Sequence, residues 1–154
     1  MRRQDKEITD NGLIREVLVK SEICRLGLVE NDEAYIVPVN YAYDNGLIYI
    51  HSAPDGRKIE MIKRNNRVSF EIEFAGEIIK DKVPCEWSAK YRSVMGKGSI
   101  VIENDPELKK RGLDLIMLKY GADMQLNYDK TVLSRMVILI LKIDSITGKQ
   151  SGNW

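Results

Sequence analysis

The stretch AYIVPVNYAYDNGLIYIHSAPDGRKIEMIKRNNRVSFEIE, residues 34–73, decides the fold of this chain. It predicts two strands rich in Tyr, Val and Ile that are joined by the turn Asp44–Asn45–Gly46. Asn-Gly between two such runs is the strongest short signal for a β-hairpin, because both central residues of a type I′ turn need positive φ. A short helix over about residues 55–64 and a strand over residues 68–74 are predicted to follow.

The hairpin turn predicts which residues face each other. A two-residue loop places Asp44 opposite Leu47 and Asn40 opposite His51, whereas a three-residue loop with a bulge shifts this register by one. Because side chains alternate along a strand, the hairpin has an apolar core face, formed by Val37, Val39, Tyr41, Tyr43, Ile48 and Ile50. The other face is mixed, with small and polar members: Pro38, Asn40, Ala42, Tyr49 and His51. We expect this mixed face to leave room for a flat ligand.

Two cations open the helix that follows the hairpin. Arg57 and Lys58 come directly after the turn Pro54–Gly56 and fall in the first helical turn. The helix dipole disfavours cations at this end, so the pair is explained if an anion binds between them. Backbone N–H groups, the dipole and both side chains would then hold one phosphate, and a groove leading to it suits a mononucleotide. The alternative is a solvated basic helix, since more basic residues follow.

Composition limits the classes of function. The chain has 154 residues, which predicts a single domain over residues 1–154, and its 44% hydrophobic and 31% charged residues are typical of globular proteins. The formal net charge of +1 creates no field that would recruit nucleic acid or a membrane surface. A polar N-terminal stretch and short apolar runs predict neither a signal peptide nor a membrane span, so we expect a cytoplasmic protein.

The residues that usually mark enzyme classes are scarce. One histidine and two distant cysteines, Cys24 and Cys85, predict no metal site. The sequence contains no Walker A, GxGxxG or GxSxG motif. His51 is the one side chain that titrates near neutrality, and it lies beside the expected phosphate turn. A polar residue at the end of a strand is the alternative interpretation of His51.

The remaining pattern predicts a mainly β fold with peripheral helices. Short strands with Gly-rich turns, flanked by helices from Asp10 to about Ser21 and from Pro106 to about Tyr120, indicate a small antiparallel barrel. Residues 136–143 are almost all apolar, which predicts a strand covered on both faces and, through its apolar surplus, an oligomer. Residues 146–154 are expected to form a polar tail.

Three segments resemble a known family. They are VPVNYAYDNGLIYIHSAPDGRKIEMIKRN at residues 37–65, CEWSAKYRSVMGKG at residues 85–98 and ITGK at residues 146–149. Together they resemble the pyridoxamine 5′-phosphate oxidase-like flavoproteins, and among these the branch of the nitroimidazole-resistance (Nim) proteins. The resemblance implies an FMN-binding split β-barrel, a six-stranded antiparallel Greek-key-like barrel. It also implies a homodimer with FMN at the subunit interface.

The resemblance also implies roles for residues of this chain. The strand that would lie along the isoalloxazine comprises Pro38, Val39, Asn40 and Tyr41. His51, Ser52 and Ala53 would lie near the flavin and its ribityl chain, and Arg57 and Lys58 would bind the phosphate. Trp87, Tyr91 and Arg92 would border the flavin, often from the partner subunit.

The implied function is that of an FMN-dependent oxidoreductase, with nitroimidazole reduction as the activity of the similar branch. Electrons would pass from NAD(P)H or another small-molecule donor to a small-molecule acceptor, with His51 as the proton donor. Pyridoxamine phosphate oxidation is not expected, because the basic C-terminal segment of the true oxidases has no counterpart here. A non-catalytic protein that stores or senses FMN is the alternative, and a deazaflavin or haem in the same barrel is a third possibility.

Overall fold

One antiparallel sheet dominates the computed structural model, which describes residues 3–123 and 126–154. Its eight strands are β1 (Glu7–Ile8), β2 (Ile23–Glu30), β3 (Glu33–Asn40), β4 (Ala42–Asp44), β5 (Leu47–Ser52), β6 (Arg67–Ile79), β7 (Ser88–Glu103) and β8 (Val137–Ser151). They are arranged in the order β3-β2-β6-β7-β8-β5-β4, and β1 pairs with β8. The predicted mainly β class is confirmed.

Tyr41 closes this sheet into a barrel. It is the one residue between β3 and β4, so residues 33–44 run as a single segment. The first part of the segment pairs with β2 and the second part pairs with β5, at the two opposite ends of the strand order. If β3 and β4 are taken as one strand and the two-residue β1 is set aside, six strands form the ring. The predicted six-stranded antiparallel barrel is therefore confirmed.

Four α-helices lie around the barrel in the described residues: α1 (Asn11–Lys20), α2 (Arg57–Arg64), α3 (Pro106–Lys119) and α4 (Lys130–Ser134). Asp10 and Asp105 cap α1 and α3 through their carboxylates, as N-cap residues commonly do. The short α4 lies in a segment that the sequence pattern did not predict to be helical. No helix in the described parts of the chain is long and apolar enough to span a bilayer.

The central hairpin has the predicted turn and register. Asn45 and Gly46 have φ angles of 46° and 83°, and Asp44 pairs with Leu47. The ladder continues only as far as Ala42, which pairs with Tyr49. The predicted pairing of Asn40 with His51 is wrong, because the chain changes partner at the residue between β3 and β4. Asn40 pairs with Ile23 of β2, and His51 pairs with Ile138 of β8.

The predicted core face of the hairpin is largely buried in the barrel. Tyr41 is completely buried, and its hydroxyl donates a hydrogen bond of 2.8 Å to the Leu18 carbonyl of α1. Its backbone N–H donates to the hydroxyl of Tyr120 at 3.3 Å. Because Tyr41 is bonded to helices on two sides, the point at which the strand changes partner is firmly held.

The mixed face of the hairpin is only partly open. Ala42 and Tyr49 are buried beneath α3, where they pack with Leu113, Ile116 and Ile138. The prediction that this whole face leaves room for a ligand is therefore wrong for these two residues. Pro38, Asn40 and His51, further along the same face, are exposed.

β8 is longer than predicted and is covered by the chain itself. Residues 146–151, expected as part of a polar tail, continue the strand and pair with β7 as far as Tyr91 and Ser151. Val137, Ile138, Leu139 and Leu141 are each no more than 2% exposed. The prediction of a strand covered on both faces is confirmed here, and its apolar surplus gives no argument for an oligomer.

Candidate functional site

A crevice opens between β3 and β5 beyond the point where their common segment stops pairing. Its volume is about 400 Å³. Tyr35 and Val37 of β3 line one wall, the segment His51–Ala53 at the end of β5 lines another, and the segment Asp55–Lys58 closes it at the start of α2. We call this cavity the crevice. It exists because β3 diverges toward β2 instead of continuing to pair with β5.

The start of α2 provides free hydrogen-bond donors at one end of the crevice. Gly56 occupies the N-cap position with a φ of 102°, which favours glycine, and no side chain within residues 3–123 and 126–154 caps the helix. The first N–H groups of a helix lack intrahelical partners and carry the positive end of the helix dipole. The geometry at Gly56 therefore fits a bound anion, and phosphate is the common ligand of such a site.

The cations of α2 fall into two groups. Lys63 pairs with Glu60 and Arg64 pairs with Glu30, at the surface. Arg57 and Lys58 form no ion pair within the described ranges, and the Arg57 guanidinium lies 4.6 Å from the centre of the Tyr35 ring. Lys58 is half-buried, and this burial lowers the pKa of its ammonium group. This division favours the phosphate interpretation over the solvated basic helix.

His51 is electrostatically coupled to this end of the crevice. The side chain is open to solvent on one side only, and its pKa is lowered from 6.5, first by this partial burial and then by the positive charge of Lys58. The imidazole is therefore mainly neutral at pH 7 in the protein without a bound anion. In this state one ring nitrogen can donate a hydrogen bond and the other can accept one.

The other residues predicted along β3 and β5 divide by the direction of their side chains. Val39 and Tyr41 are 8% and 0% exposed and belong to the barrel core, so only their backbone can contact a ligand in the crevice. Pro38 and Asn40 are exposed. Ser52 is 7% exposed but lines the crevice together with Ala53. The proposed flavin contacts of these residues remain predictions.

Trp87, Tyr91 and Arg92 lie in or directly before β7, and none of them lines the crevice of their own chain. Tyr91 pairs with Ser151 of β8, whereas His51 pairs with Ile138, thirteen residues earlier on the same strand. At roughly 3.3 Å per residue, this separation is about 40 Å along β8. Trp87 is exposed at the start of β7, and its indole N–H donates to the Asp81 carbonyl at 2.8 Å. A single chain therefore does not place these three side chains in the lining of its own crevice.

Sequence reasoning missed Tyr35 and Val37 as lining residues. The sequence pattern places Val37 on the core face and predicts no role for Tyr35. The position of both residues in the lining depends on the change of strand partner after Asn40, which brings the outer half of β3 toward the start of α2. Two aromatic or β-branched residues with a spacing of two are typical of any strand and give no signal for a ligand site.

A larger concavity lies on the outside of the barrel, with a volume of about 670 Å³. We call it the outer groove. Its lining is mostly apolar or small and comes from β2, β3, β6, β7 and β8: Arg25, Gly27, Ile36, Ser69, Phe70, Glu71, Met95, Gly96, Lys97, Ser145, Ile146 and Thr147. Arg25 is neutralised by Glu71 and Glu73, each at 3.0 Å. Lys97 also lines the outer groove without an ion pair among the described residues, but only the crevice combines two such cations with the start of a helix. We therefore identify the crevice as the candidate site.

Comparison with known proteins places the chain in a family. Residues 10–150 match the sequence profile described as pyridoxamine 5′-phosphate oxidase. The chain belongs to this family, within which the sequence resemblance had placed it.

Three relatives indicate how far the similarity extends. A candidate 5-nitroimidazole antibiotic resistance protein from Bacteroides thetaiotaomicron is 30% identical, with a TM-score of 0.84 over 93% of this chain and 85% of that chain. An FAD and haem binding protein from Mycobacterium smegmatis is 18% identical, with a TM-score of 0.87 over 97% and 75%. An uncharacterized Rhizobium meliloti protein is 38% identical over 60 residues, which are 38% of this chain and 39% of its own length. The second of these similarities shows the fold alone.

Proposed function

We propose that the protein binds flavin mononucleotide in the crevice and acts as an oxidoreductase. The observation that carries this proposal is the start of α2, which has no side-chain cap among the described residues, with the half-buried Lys58 beside it and no ion pair for Lys58 in that part of the chain. Membership of the pyridoxamine 5′-phosphate oxidase family supports a flavin, as does the fold shared with an FAD and haem binding protein. FMN is favoured over FAD because the crevice has one anion-binding end, which suits a terminal phosphate.

Different residues of the crevice would contact different parts of the ligand. Lys58, Arg57 and the N–H groups of α2 hold the phosphate, since charge-assisted hydrogen bonds are the strongest contacts available there. Val37 and the segment His51–Ala53 flank the body of the ligand. When bound, a flavin supplies electron transfer between a small-molecule donor, such as NAD(P)H, and an acceptor. His51 would supply a hydrogen bond or a proton to the acceptor.

The working form in this proposal is a homodimer with the cofactor at the interface. A partner would bring its Trp87, Tyr91 and Arg92 to the crevice, which these residues do not line in their own chain. The outer groove is the surface we assign to the contact, because Ile36 and Met95 on its rim are 67% and 45% exposed. An apolar concavity of this size on a water-soluble barrel is typical of an interface.

Nitroimidazole is the acceptor that we propose, by similarity to the Bacteroides protein. The test begins with the purified protein, which should be yellow and should bind FMN more tightly than riboflavin, since riboflavin lacks the phosphate. A colourless protein that takes up neither ligand would contradict flavin binding. The reduced protein, mixed with a nitroimidazole in an anaerobic stopped-flow experiment, should be reoxidised faster than free FMN.

His51 is tested in the same experiment. His51→Ala should retain FMN, because the phosphate contacts remain, and should slow reoxidation about a hundredfold if the imidazole transfers a proton. Equal rates in the two proteins would remove His51 from the reaction. If the wild-type protein gives no acceleration over free FMN, the oxidoreductase proposal fails and storage or sensing of FMN takes its place.

A further inference from the structure

The ring of Tyr35 forms the part of the crevice wall that meets the start of α2. Tyr35 pairs with Leu28 in the unbroken ladder between β3 and β2. Its side chain is half-buried and packs against the hydrophobic core of the barrel. Few rotamers are open to an aromatic side chain that is packed in this way. Backbone pairing and core packing together therefore fix the position of the ring.

The side chain of Arg57 is exposed, and the Tyr35 ring orders it. Its guanidinium lies over this ring, 4.6 Å from the centre. Asp55 lines the same crevice, yet within residues 3–123 and 126–154 no ion pair joins Arg57 to a carboxylate. An exposed arginine without a fixed contact samples many rotamers, and ordering it on ligand binding costs conformational entropy. The contact with Tyr35 therefore decides where the guanidinium lies before a ligand binds.

This contact leaves the guanidinium charged and able to donate hydrogen bonds. A cation–π contact is made with the electron-rich face of the ring and uses no acceptor oxygen. A carboxylate in the same position would cancel the charge and would accept the N–H groups that a ligand needs. A phosphate in the crevice can therefore accept two N–H groups from an Arg57 side chain that is already in place.

We propose that Tyr35 is a positioning residue that holds Arg57 for a terminal phosphate and thereby makes the crevice prefer phosphate monoesters. This role rests on the proposed function, because it requires that the phosphate binds at the start of α2. Tyr35 acts through Arg57 and forms no bond to the phosphate itself. A residue of β3, remote from α2 in sequence, thus sets the ligand preference at the start of that helix.

The first experiment compares FMN with riboflavin, which has the same ring system and ribityl chain without the phosphate. In Tyr35→Leu the guanidinium loses its contact, so FMN should bind about threefold to tenfold more weakly, as for the loss of one cation–π contact. The affinity for riboflavin should change much less, because no phosphate is present. Tyr35→Phe keeps the ring and should keep the wild-type ratio of the two affinities. Flavin fluorescence measures both dissociation constants.

Val37→Ala is the matched control on the same wall. Val37 also lines the crevice from β3 and has no aromatic ring, so its truncation should weaken both ligands by similar factors. A Tyr35→Leu protein with the wild-type ratio of affinities would overturn the proposal, and so would a Tyr35→Phe protein that loses this ratio. Tyr35→Val, with a residue that favours strands, replaces Tyr35→Leu if that variant does not fold.

A double-mutant cycle tests whether Tyr35 acts through Arg57. Arg57→Ala removes the guanidinium, so adding Tyr35→Leu to this variant should not change the ratio of affinities further. Lys58 is half-buried and is held by its own packing, so Tyr35→Leu should keep its full effect in a Lys58→Ala background. If the effects of Tyr35→Leu and Arg57→Ala add, Tyr35 does not position Arg57 and the proposal fails.

A titration without flavin separates this role of Tyr35 from the proposed function. His51 lines the crevice and is the single histidine of the chain, so its proton NMR signal reports inorganic phosphate bound there. Phosphate should shift this signal in the wild type, and Tyr35→Leu should raise the dissociation constant by about the same factor as for FMN. If the wild type binds neither phosphate nor FMN, the proposed function fails. If the wild type binds both and Tyr35→Leu binds them equally well, only the role of Tyr35 is refuted.

Discussion

Asn40 and His51 belong to one hairpin but pair with different strands, and the candidate site lies where they part. Asn40 pairs with Ile23 and His51 with Ile138, so the ladder between β4 and β5 ends before it would join the two residues. Had the hairpin continued, the backbone N–H and C=O groups of β3 and β5 that face each other would be paired. The two strands would then leave no space for the crevice. The site is therefore a direct result of the change of partner at Tyr41.

Lys58 and Arg57 should dominate the affinity for FMN. Each charge-assisted contact contributes about 1.5–3 kcal/mol, so Lys58→Ala or Arg57→Ala should weaken binding about tenfold to a hundredfold. Lys63→Ala is the control on the same helix, because Lys63 is exposed and paired with Glu60. Titration of each variant with FMN, followed by flavin fluorescence, measures the effect. If all three variants bind like the wild type, α2 is an ordinary solvated helix.

His51 should titrate below its ordinary pKa of 6.5 in the flavin-free protein. The shift is caused first by burial and then by Lys58, so removing that charge should raise the pKa part of the way back. We expect Lys58→Gln to raise it and Lys63→Gln to leave it unchanged. Proton NMR of the single histidine gives this pKa directly. A pKa above 6.5 in the wild type would show that the imidazole is not coupled to the crevice as described.

Lys119 should make the protein more stable as pH rises from about 8 toward 10.5. Its ammonium lies 3.2 Å from the centre of the Tyr41 ring, and burial lowers its pKa to about 8 from the ordinary 10.5. In this window the unfolded chain holds the proton and the folded chain has released it, so stability increases with pH.

The variant Lys119→Met isolates this contribution. It should be more stable than the wild type at pH 7, because the buried charge has no hydrogen-bond partner among the described residues. The difference between the two proteins should shrink as pH rises through 8 to 10.5. Urea unfolding at several pH values measures it, and a difference that does not depend on pH would mean that Lys119 titrates normally.

The proposed homodimer should depend on the rim of the outer groove. Ile36→Lys places a charge where we expect a partner to pack, and it should shift the protein toward monomer and weaken FMN binding. Val101→Lys is the matched control, since Val101 is another exposed apolar residue, 58% exposed, and does not line the groove. Light scattering at micromolar concentration compares the two variants. A dimer that survives Ile36→Lys would place the interface elsewhere.

The hairpin shows what the sequence could and could not predict. Asn45-Gly46 specified the turn, and the register followed because it depends only on local geometry. The pairing of Asn40 with Ile23 depends on β2, which is remote from the turn, so no local pattern shows where the ladder stops. The phosphate end was accessible to prediction because the signal, two cations at a helix start, is contained in consecutive residues. Trp154 was assigned to a tail, since its contacts with Lys90 and Arg92 depend on the length of β8.

The segment that closes the barrel also shapes the order in which the barrel can form. Residues 33–44 belong to two hairpins, one that turns at Asn31–Asp32 and one that turns at Asn45–Gly46. Both hairpins join strands that are adjacent in sequence, and such local contacts need little loop-closure entropy. In a β-barrel, the step that joins the two edges of the sheet is usually slow, because it brings together strands that are distant in sequence. Here the two edge strands, β3 and β4, are parts of one continuous segment. The long-range pairings that remain are those that add β6, β7 and β8 to these two hairpins.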